Sequence, residues 1–207
     1  MKKVSEGAES SIYAVEFLGI QCVLKRRAPK RYRINEIDET LRNQRTRNEA
    51  RITGIAAAAG CRSPRVVLVG KYDIVMTSID GTMLNDMLDS AGSALMSSIG
   101  RQLAALHNSG VTHGDFTPAN IIVGKDGSPH VIDFGLSEIT NSIEERALDL
   151  LLMKRSVSAA QYSALAKTYA KSVKDWKSIS GRLSEVEKRG RYNVRTMLSA
   201  RLIHHSA

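Results

Sequence analysis

The sequence predicts an α+β fold in two parts, a strand-rich first part that holds one long helix and a mainly helical second part. Three patterns lead to this expectation. Short runs of β-branched and aromatic residues dominate up to residue 77, one long segment with helical spacing interrupts them, and helical patterns return after residue 142. We therefore expect residues 1–78 to form one lobe and residues 79–207 a second.

The first part is expected to contain two hairpins. Residues 11–25 (SIYAVEFLGIQCVLK) are rich in strand-forming residues and are broken once, at Gly19, which predicts two strands and a turn. Residues 65–70 (RVVLVG) and 72–77 (YDIVMT) are short apolar runs on either side of a Gly-Lys turn, which predicts a second hairpin. Both hairpins would belong to the same β-rich lobe.

Helices are expected between the hairpins and through the second part. Residues 34–59 place apolar side chains at roughly helical spacing, with charged side chains on the other faces, and Gly60 follows. Further on, the same spacing predicts helices over residues 83–90 and 94–109 and again over residues 142–207. Within the second part, only the stretch between residues 111 and 135 is expected to form short strands.

Composition and charge narrow the classes of function. The chain has 207 residues, of which 43% are hydrophobic and 25% charged, an ordinary globular composition with enough length for one core or two small lobes. The formal net charge of +9 favours an acidic partner such as nucleic acid, an anionic protein face or a phosphorylated ligand. A plain basic surface in water is also compatible with that charge.

The cysteines and the N-terminus indicate the compartment. Cys22 and Cys61 lie far apart without zinc-site spacing, so we expect two buried or half-buried, reduced thiols. The N-terminal MKKVSEGAES lacks the apolar core of a signal peptide, and no apolar run approaches the thickness of a bilayer. These features predict a cytoplasmic protein with no membrane association.

The most informative stretch is VTHGDFTPANIIVGKDGSPHVIDFG, residues 111–135, which carries Asp115, Asn120 and Asp133 on loops around a short strand pair. A loop aspartate can accept a hydroxyl proton or orient an attacking oxygen, and an asparagine with a second aspartate supplies hard oxygen ligands for magnesium. Because the strand pair would bring both aspartates to one place, the stretch predicts a site for phosphoryl transfer. The alternative is that these side chains only cap turns.

The order of HGDxxxxN and DFG resembles the catalytic and metal-binding loops of the protein-kinase-like superfamily. That resemblance requires a lysine on an N-terminal strand and a glutamate on the following helix, and Lys25 and Glu49 meet the requirement. Arg26 or Arg27 could replace the lysine, and Glu36 or Glu39 could replace the glutamate. A phosphate-covering turn would comprise Glu6, Gly7, Ala8, Glu9, Ser10 and Ser11, although it has one glycine and not the usual three.

Further segments narrow the resemblance. Gly114 stands where many kinases have arginine, no proline follows Pro129, and the remaining residues are too few for a full peptide-docking lobe, which indicates a minimal bilobal kinase fold. The basic segment KRYRINEIDETLRNQRTRNEARI, the HGDFTPANIIV loop, DFGLS and EERALDLLLMKR resemble the small Rio-related atypical serine/threonine kinases of the KEOPS complex, the p53-related protein kinase family. The resemblance covers nearly the whole chain.

The resemblance implies a role for each matching residue. Lys25 and Glu49 would anchor ATP, Asp115 would be the catalytic aspartate together with Lys25, and Asn120 and Asp133 would bind magnesium. The adenine-binding hinge would include Met76, Thr77 and Ile79, although the family more usually has an acidic residue at the position of Thr77. Asp149 would brace the catalytic loop, and the alternative is a solvent-exposed helix acid. The positions of the histidines in the sequence themselves predict that His113 holds the loop backbone and that His107 is a packed or capping residue. We expect no histidine to bind metal.

The same resemblance implies a function and partners. The chain would be a Mg-ATP-dependent atypical serine/threonine kinase or ATPase in the modification of tRNA to threonylcarbamoyladenosine. Its partners would be the threonylcarbamoyl-transferase subunit of KEOPS and a small helical bridging subunit at the N-lobe. Separately, the basic residues of the long helix and the tail favour contact with tRNA, and a solvated helix face is the alternative. Two alternatives stay open, a small-molecule phosphotransferase of the aminoglycoside or choline kinase type and a catalytically weak scaffold.

Overall fold

The computed structural model describes residues 1–7, 10–30 and 34–203, with side chains in the last helix as far as Arg189. Its first part is a five-stranded antiparallel sheet in the order β1-β2-β3-β5-β4, with one long helix beside it. The elements are β1 Lys2–Glu6, β2 Ser11–Phe17, β3 Ile20–Arg26, α1 Asn35–Ala58, β4 Val66–Val69 and β5 Asp73–Thr77. Both predicted hairpins are confirmed as β2-β3 and β4-β5, whereas β1 was not expected.

The second part is mainly helical, as predicted. Its helices are α2 Ser93–Asn108, α3 Ile143–Ser156, α4 Ala159–Ser172 and α5 Trp176–Ile203. Short strands lie between them, β6 Gly81–Met83, β7 Val111–Thr112, β8 Ile121–Gly124, β9 Pro129–Val131 and β10 Glu138–Ile139. The segment predicted as a helix over residues 83–90 is a 3₁₀ helix, Leu84–Ser90, with a kink at Met87. The α+β class is therefore confirmed, while the lobe boundary at residue 78 stays a prediction.

The hydrophobic core extends from the second part into the long helix. Most buried apolar residues, among them Leu103, Phe116 and Leu150, form one cluster, and Ile52 and Ala56 of α1 belong to it. The sheet has only a small buried cluster of its own, around Cys22 and Leu24. Since its second half packs into the larger core, α1 is fixed against the C-terminal part.

Two further expectations concern burial. Cys22 and Cys61 are both free and buried, as predicted. No helix among the described residues is long and apolar enough to cross a membrane.

Candidate active site

The strand β3 and the helix α1 bring Lys25 and Glu49 together. Lys25 is 4% exposed, and its Nζ lies 2.6 Å from Oε1 of Glu49, which is 2% exposed. Glu49 is buried because it lies one turn before Ile52, on the face of α1 that enters the core. Burial of a carboxylate requires a paired cation, and Lys25 provides one.

The other candidate residues occupy different environments. Arg26 points to the opposite face of β3 and pairs with Asp73 at 3.0 Å, and Glu39 pairs with Lys71 at 3.0 Å on the surface. Glu36 is exposed. Arg27, however, is buried and donates to Oε2 of Glu49, so Glu49 has two cationic partners.

Asp133 joins this cluster from the second part of the chain. Its Oδ1 accepts hydrogen bonds from Lys25 Nζ at 2.7 Å and from the Gly135 N–H at 3.1 Å. Burial tends to raise the pKa of Asp133, but the Lys25 charge and both hydrogen bonds outweigh it and hold the pKa below its ordinary value. The side chain is 50% exposed, and no described residue donates a hydrogen bond to its Oδ2. That oxygen remains available to a cation.

Asp133 also has a strained backbone. Its φ of 60° lies in the left-handed region, which a non-glycine residue rarely adopts. Such strain is typically kept at functional sites, where the surrounding structure holds it. Here the Lys25 contact and the Gly135 hydrogen bond hold the carboxylate in place.

Asp115 and Asn120 form the facing pair on the loop after β7. Nδ2 of Asn120 donates to the Asp115 carbonyl at 2.8 Å and to Asp115 Oδ2 at 2.9 Å. This orientation leaves Oδ1 of Asn120 without a hydrogen-bond partner in the described part of the chain. The carbonyl of Asn120 accepts from the Ile132 N–H at 2.9 Å, which ties the loop to the residue before Asp133. The loop pair and Asp133 therefore belong to one site.

His113 holds the backbone of this loop, as predicted. Its Nε2 lies 3.1 Å from the Ile132 carbonyl, and its Nδ1 accepts from the Asp115 N–H at 3.3 Å. A neutral ring that carries its proton on Nε2 satisfies both contacts. The orientation of Asp115 thus depends on a buried imidazole.

Asp149 of α3 holds the backbone of the same loop through hydrogen bonds. It is fully buried, and it accepts from the N–H groups of His113 at 2.7 Å and Gly114 at 2.8 Å. His107 bridges it to Tyr169, with Nε2 3.1 Å from Asp149 Oδ2 and Nδ1 2.7 Å from the tyrosine hydroxyl. The expected bracing aspartate is therefore present, and His107 is a hydrogen-bonded link that the sequence did not predict.

The glycine at position 114 has a steric cause. Its φ is +78°, and a Cβ there would lie 2.4 Å from the Leu136 carbonyl oxygen. Only glycine fits this contact without movement of the backbone. Arginine is thus excluded by the close approach of the two loops.

Comparison with known proteins agrees with this geometry. The protein kinase domain family matches residues 20–176 of the chain. The KEOPS complex subunit Bud32 of Pyrococcus abyssi is 35% identical over 220 residues, covering 96% of this chain and 100% of that protein. The chain belongs to the Bud32 family of protein kinases. The family membership predicted from the sequence is confirmed.

Other relatives are longer. A probable bifunctional tRNA threonylcarbamoyladenosine biosynthesis protein of Methanothermobacter thermautotrophicus is 35% identical over 196 residues, and the match covers 91% of this chain but 36% of that protein. The chain therefore spans about a third of the length of these bifunctional relatives. The Rio2 kinase of Chaetomium thermophilum superposes with a TM-score of 0.64 at 19% identity, over 92% of this chain and 73% of that one, which confirms the kinase-like fold.

The turn predicted from the sequence to cover phosphates lies at the same end of the sheet as Lys25. It connects β1 and β2, and because Ile12 pairs with Lys25 across the sheet, the turn lies at the Lys25 end of β3. Gly7 closes the turn with a hydrogen bond to the Ser10 carbonyl at 2.9 Å, while Glu6 pairs with Lys3. Of the residues predicted here, Ala8 and Glu9 lie outside the described residues. Ser11 begins β2.

The predicted hinge joins β5 to β6. The N–H of Thr77 donates to the Arg65 carbonyl and that of Ser78 to the Gln21 carbonyl, both at 2.9 Å. Met76 is paired within the sheet. Among the described residues, the N–H of Ile79 has no hydrogen-bond partner. Among the residues predicted for the hinge, Ile79 therefore has an N–H group that could donate a hydrogen bond to an adenine ring.

A cleft of about 660 Å³ behind the hinge is a separate feature. It is lined by Thr77 and Ile79 together with Arg62, Arg65 and Lys125, and not by Lys25, Asp115 or Asp133. Ion pairs close part of it, Arg62 with Asp126 and Lys125 with Asp80. This cleft is therefore distinct from the cluster around Lys25 and Asp133.

The donor set fits magnesium held with phosphates. Among the described residues there is no group of three or more His, Cys, Asp or Glu side chains that could hold a metal alone. Asp133 Oδ2 and Asn120 Oδ1 are oxygens of the type that magnesium prefers, and magnesium usually completes its shell with substrate phosphates and water. The fit is thus to a metal that arrives with a nucleotide.

Proposed function

We propose that this chain is a Mg-ATP-dependent atypical kinase or ATPase that acts within a KEOPS-type assembly for tRNA modification. The observation that carries the proposal is the cluster of Lys25, Glu49 and Asp133, tied through Ile132 to the loop pair Asp115 and Asn120. Phosphoryl transfer needs positioned charges more than covalent chemistry from the protein, and this arrangement supplies them. The Rio2 kinase of Chaetomium thermophilum, which has a similar fold, has been crystallised as an ADP/Mg²⁺-phosphoaspartate complex.

Each residue has a proposed task. Lys25 contacts phosphate oxygens, Asn120 Oδ1 and Asp133 Oδ2 hold magnesium, and the N–H of Ile79 meets the adenine. Bound Mg-ATP supplies the transferable phosphoryl group. Asp115 orients the attacking hydroxyl or water and accepts its proton, since Asn120 and His113 fix its position.

The relatives support the choice of assembly. One is named as a KEOPS complex subunit, and the bifunctional ones are named for tRNA threonylcarbamoyladenosine biosynthesis. In the latter, a region similar to this chain forms about a third of a longer polypeptide. Because these relatives are named as bifunctional proteins of one biosynthesis, they support a partnership between this chain and a second component of that biosynthesis. The threonylcarbamoyl-transferase subunit is the partner that we propose. The bridging subunit at the N-lobe and the cytoplasmic location remain predictions.

The fate of the γ-phosphate tests the proposal. Labelled ATP with magnesium would be followed for wild type and Asp133→Asn, alone and with the transferase subunit and tRNA. We expect free phosphate that is stimulated by the partner and tRNA and is lost in the variant. Label chiefly on serine or threonine, indifferent to tRNA, would instead indicate a signalling-type kinase, label on a small-molecule acceptor would indicate the small-molecule phosphotransferase, and no turnover in any mixture would indicate a scaffold.

Direct contact with tRNA is proposed for the exposed face of α1. Arg47 and Arg51 lie one turn apart and are exposed beside Arg45. Replacement of Arg47 and Arg51 by alanine should lower the slope of log affinity against log salt by about 1.5, since each phosphate contact contributes roughly 0.7 to 0.9. The matched control is alanine at Lys167 and Lys171, an exposed pair with the same spacing on α4. An equal change in both variants would contradict the assignment.

A further inference from the structure

Arg27 extends the inner face of β3 by one more side chain. Its N–H donates to the Tyr72 carbonyl at 3.0 Å, so the ladder between β3 and β5 continues past Arg26. Alternate residues of a strand face the same side, and Lys25 and Arg27 are therefore neighbours on the buried side. They are 4% and 5% exposed, whereas the Arg26 side chain is 49% exposed.

The two buried cations share one carboxylate. Lys25 Nζ contacts Oε1 of Glu49 at 2.6 Å, and Arg27 Nη2 contacts Oε2. One carboxylate neutralises one of these charges, and Asp133, which contacts Lys25 but is half exposed, contributes a further negative charge. Lys25 therefore has two possible anionic partners, and Glu49 has two cationic ones.

Arg27 also reaches the segment that carries Asp133. Its Nη2 would lie 3.5 Å from a Cβ on Gly135, and Lys25 Nζ would lie 3.7 Å from the same point. The backbone at Arg27 is held as well, because Arg42 of α1 donates to its carbonyl at 3.4 Å and stacks on Tyr72 with its guanidinium 3.8 Å from the ring centre. The end of β3, the helix α1 and the segment that carries Asp133 thus meet at Arg27.

We infer that Arg27 is a positioning residue that stays paired with Glu49 when Lys25 contacts the nucleotide. With Arg27 in place, Lys25 can direct its charge towards phosphate oxygens without leaving a buried carboxylate unpaired, which would be strongly unfavourable. Without Arg27, Glu49 has Lys25 as its one described cation, and Lys25 is held away from the nucleotide. This role rests on the proposed Mg-ATP-dependent function.

The test compares Arg27→Met with Arg26→Met, a neighbour on the opposite face that pairs with the partly exposed Asp73. Turnover, KM for Mg-ATP, calorimetric affinity for Mg-ADP and Tm would be measured for each. We expect Arg27→Met to lower kcat/KM by roughly tenfold to a hundredfold, the range for loss of a hydrogen bond to a charged group. The kcat/KM of Arg26→Met should stay within about twofold of the wild-type value. Arg27→Lys should retain most of the activity because it keeps the charge.

A mutant cycle separates positioning from a general loss of folding. In a Glu49→Gln background, Arg27→Met should lower kcat/KM by less than about a further threefold, because the carboxylate through which Arg27 acts is gone. Arg27→Gln keeps hydrogen-bond donors without charge, and it replaces Arg27→Met if that variant does not fold.

Three results would overturn the role. These are wild-type activity in the Arg27 variants, an undiminished loss in the Glu49→Gln background, and no rescue by Arg27→Lys. Wild-type protein that neither binds Mg-ADP nor turns over ATP would instead overturn the proposed function itself.

Discussion

The two halves of the site are built from different interactions. The loop that carries Asp115 rests on fully buried groups, with Asp149 accepting two backbone N–H bonds and a contact from His107. The facing half is an ion cluster in which Asp133 is half exposed and Lys25 is shared between two carboxylates. The difference indicates a fixed position for Asp115, the proposed catalytic aspartate, and exchangeable charges where a nucleotide and its metal are proposed to bind.

The largest effect on stability is expected from Asp149→Ala. Loss of the carboxylate leaves two buried N–H groups and His107 without their partner, and we expect the free energy of unfolding to fall by about 3 to 5 kcal/mol. Urea unfolding measures it. Asp80→Ala is the control, because Asp80 pairs with Lys125 and the two side chains are 77% and 78% exposed, and it should cost less than about 1 kcal/mol. Equal losses would remove the distinction between a buried frame and an exposed ion pair.

A substitution at position 114 tests the same buried support of the Asp115 loop, through the backbone. Gly114→Ala places a Cβ against the Leu136 carbonyl at a left-handed φ, so we expect a loss of about 1 to 3 kcal/mol in unfolding free energy. Gly54→Ala, in the interior of α1 with nothing within 4 Å of the added Cβ, should stabilise by about 0.5 to 1 kcal/mol. The opposite signs can be read from the two melting temperatures. A Gly114→Ala variant as stable as wild type would contradict the steric explanation.

The buried imidazole of the frame should make stability depend on pH. Burial lowers the pKa of His107 despite its contact with Asp149, so the unfolded chain binds more protons once the pH falls below the ordinary histidine value of 6.5. The free energy of unfolding should therefore decrease as the pH falls from about 7 to 5, at up to about 1.4 kcal/mol per pH unit. His107→Gln should flatten this slope. His130→Gln, at a less buried histidine whose pKa is also lowered, should flatten it less.

The smallest effect concerns the thiols, which lie outside both halves. Burial raises the pKa of Cys61 to about 12, and Cys22 is also buried. Neither thiol should react with a disulfide reagent at a pH of about 8 in the native protein, and both should react in denaturant. Rapid native reaction of one thiol, assigned by mass spectrometry, would show that its surroundings open.

Local patterns in the sequence predicted most of the fold and the outline of the site. Strand composition and helical spacing correctly indicated both hairpins and α1, and the motif order indicated Lys25, Glu49, Asp115, Asn120 and Asp133, which the structure brings to one region. The strand β1 (KKVSE) was missed because it is polar and exposed, and strand pairing rather than burial holds it.

The remaining contacts depend on distant parts of the chain. The link between His107, Asp149 and Tyr169 joins three helices, so no local spacing reveals it. Arg27 was indicated only as a substitute for Lys25, because sequence cannot show that one carboxylate would accept both cations. Glycine at position 114 is explained only by the approach of the Leu136 backbone.

The most direct test of the central claim compares Asp115→Asn with Asp133→Asn. Magnesium-dependent binding of ADP would be measured by calorimetry, and ATP turnover would be measured in parallel. We expect Asp115→Asn to bind Mg-ADP like wild type but to lose roughly 10² to 10⁴ in turnover, the usual contribution of a general base. Asp133→Asn should lose the magnesium dependence of binding itself. Intact magnesium-dependent binding in Asp133→Asn, or impaired binding in Asp115→Asn, would contradict the division of the site into a fixed catalytic half and a metal-binding half.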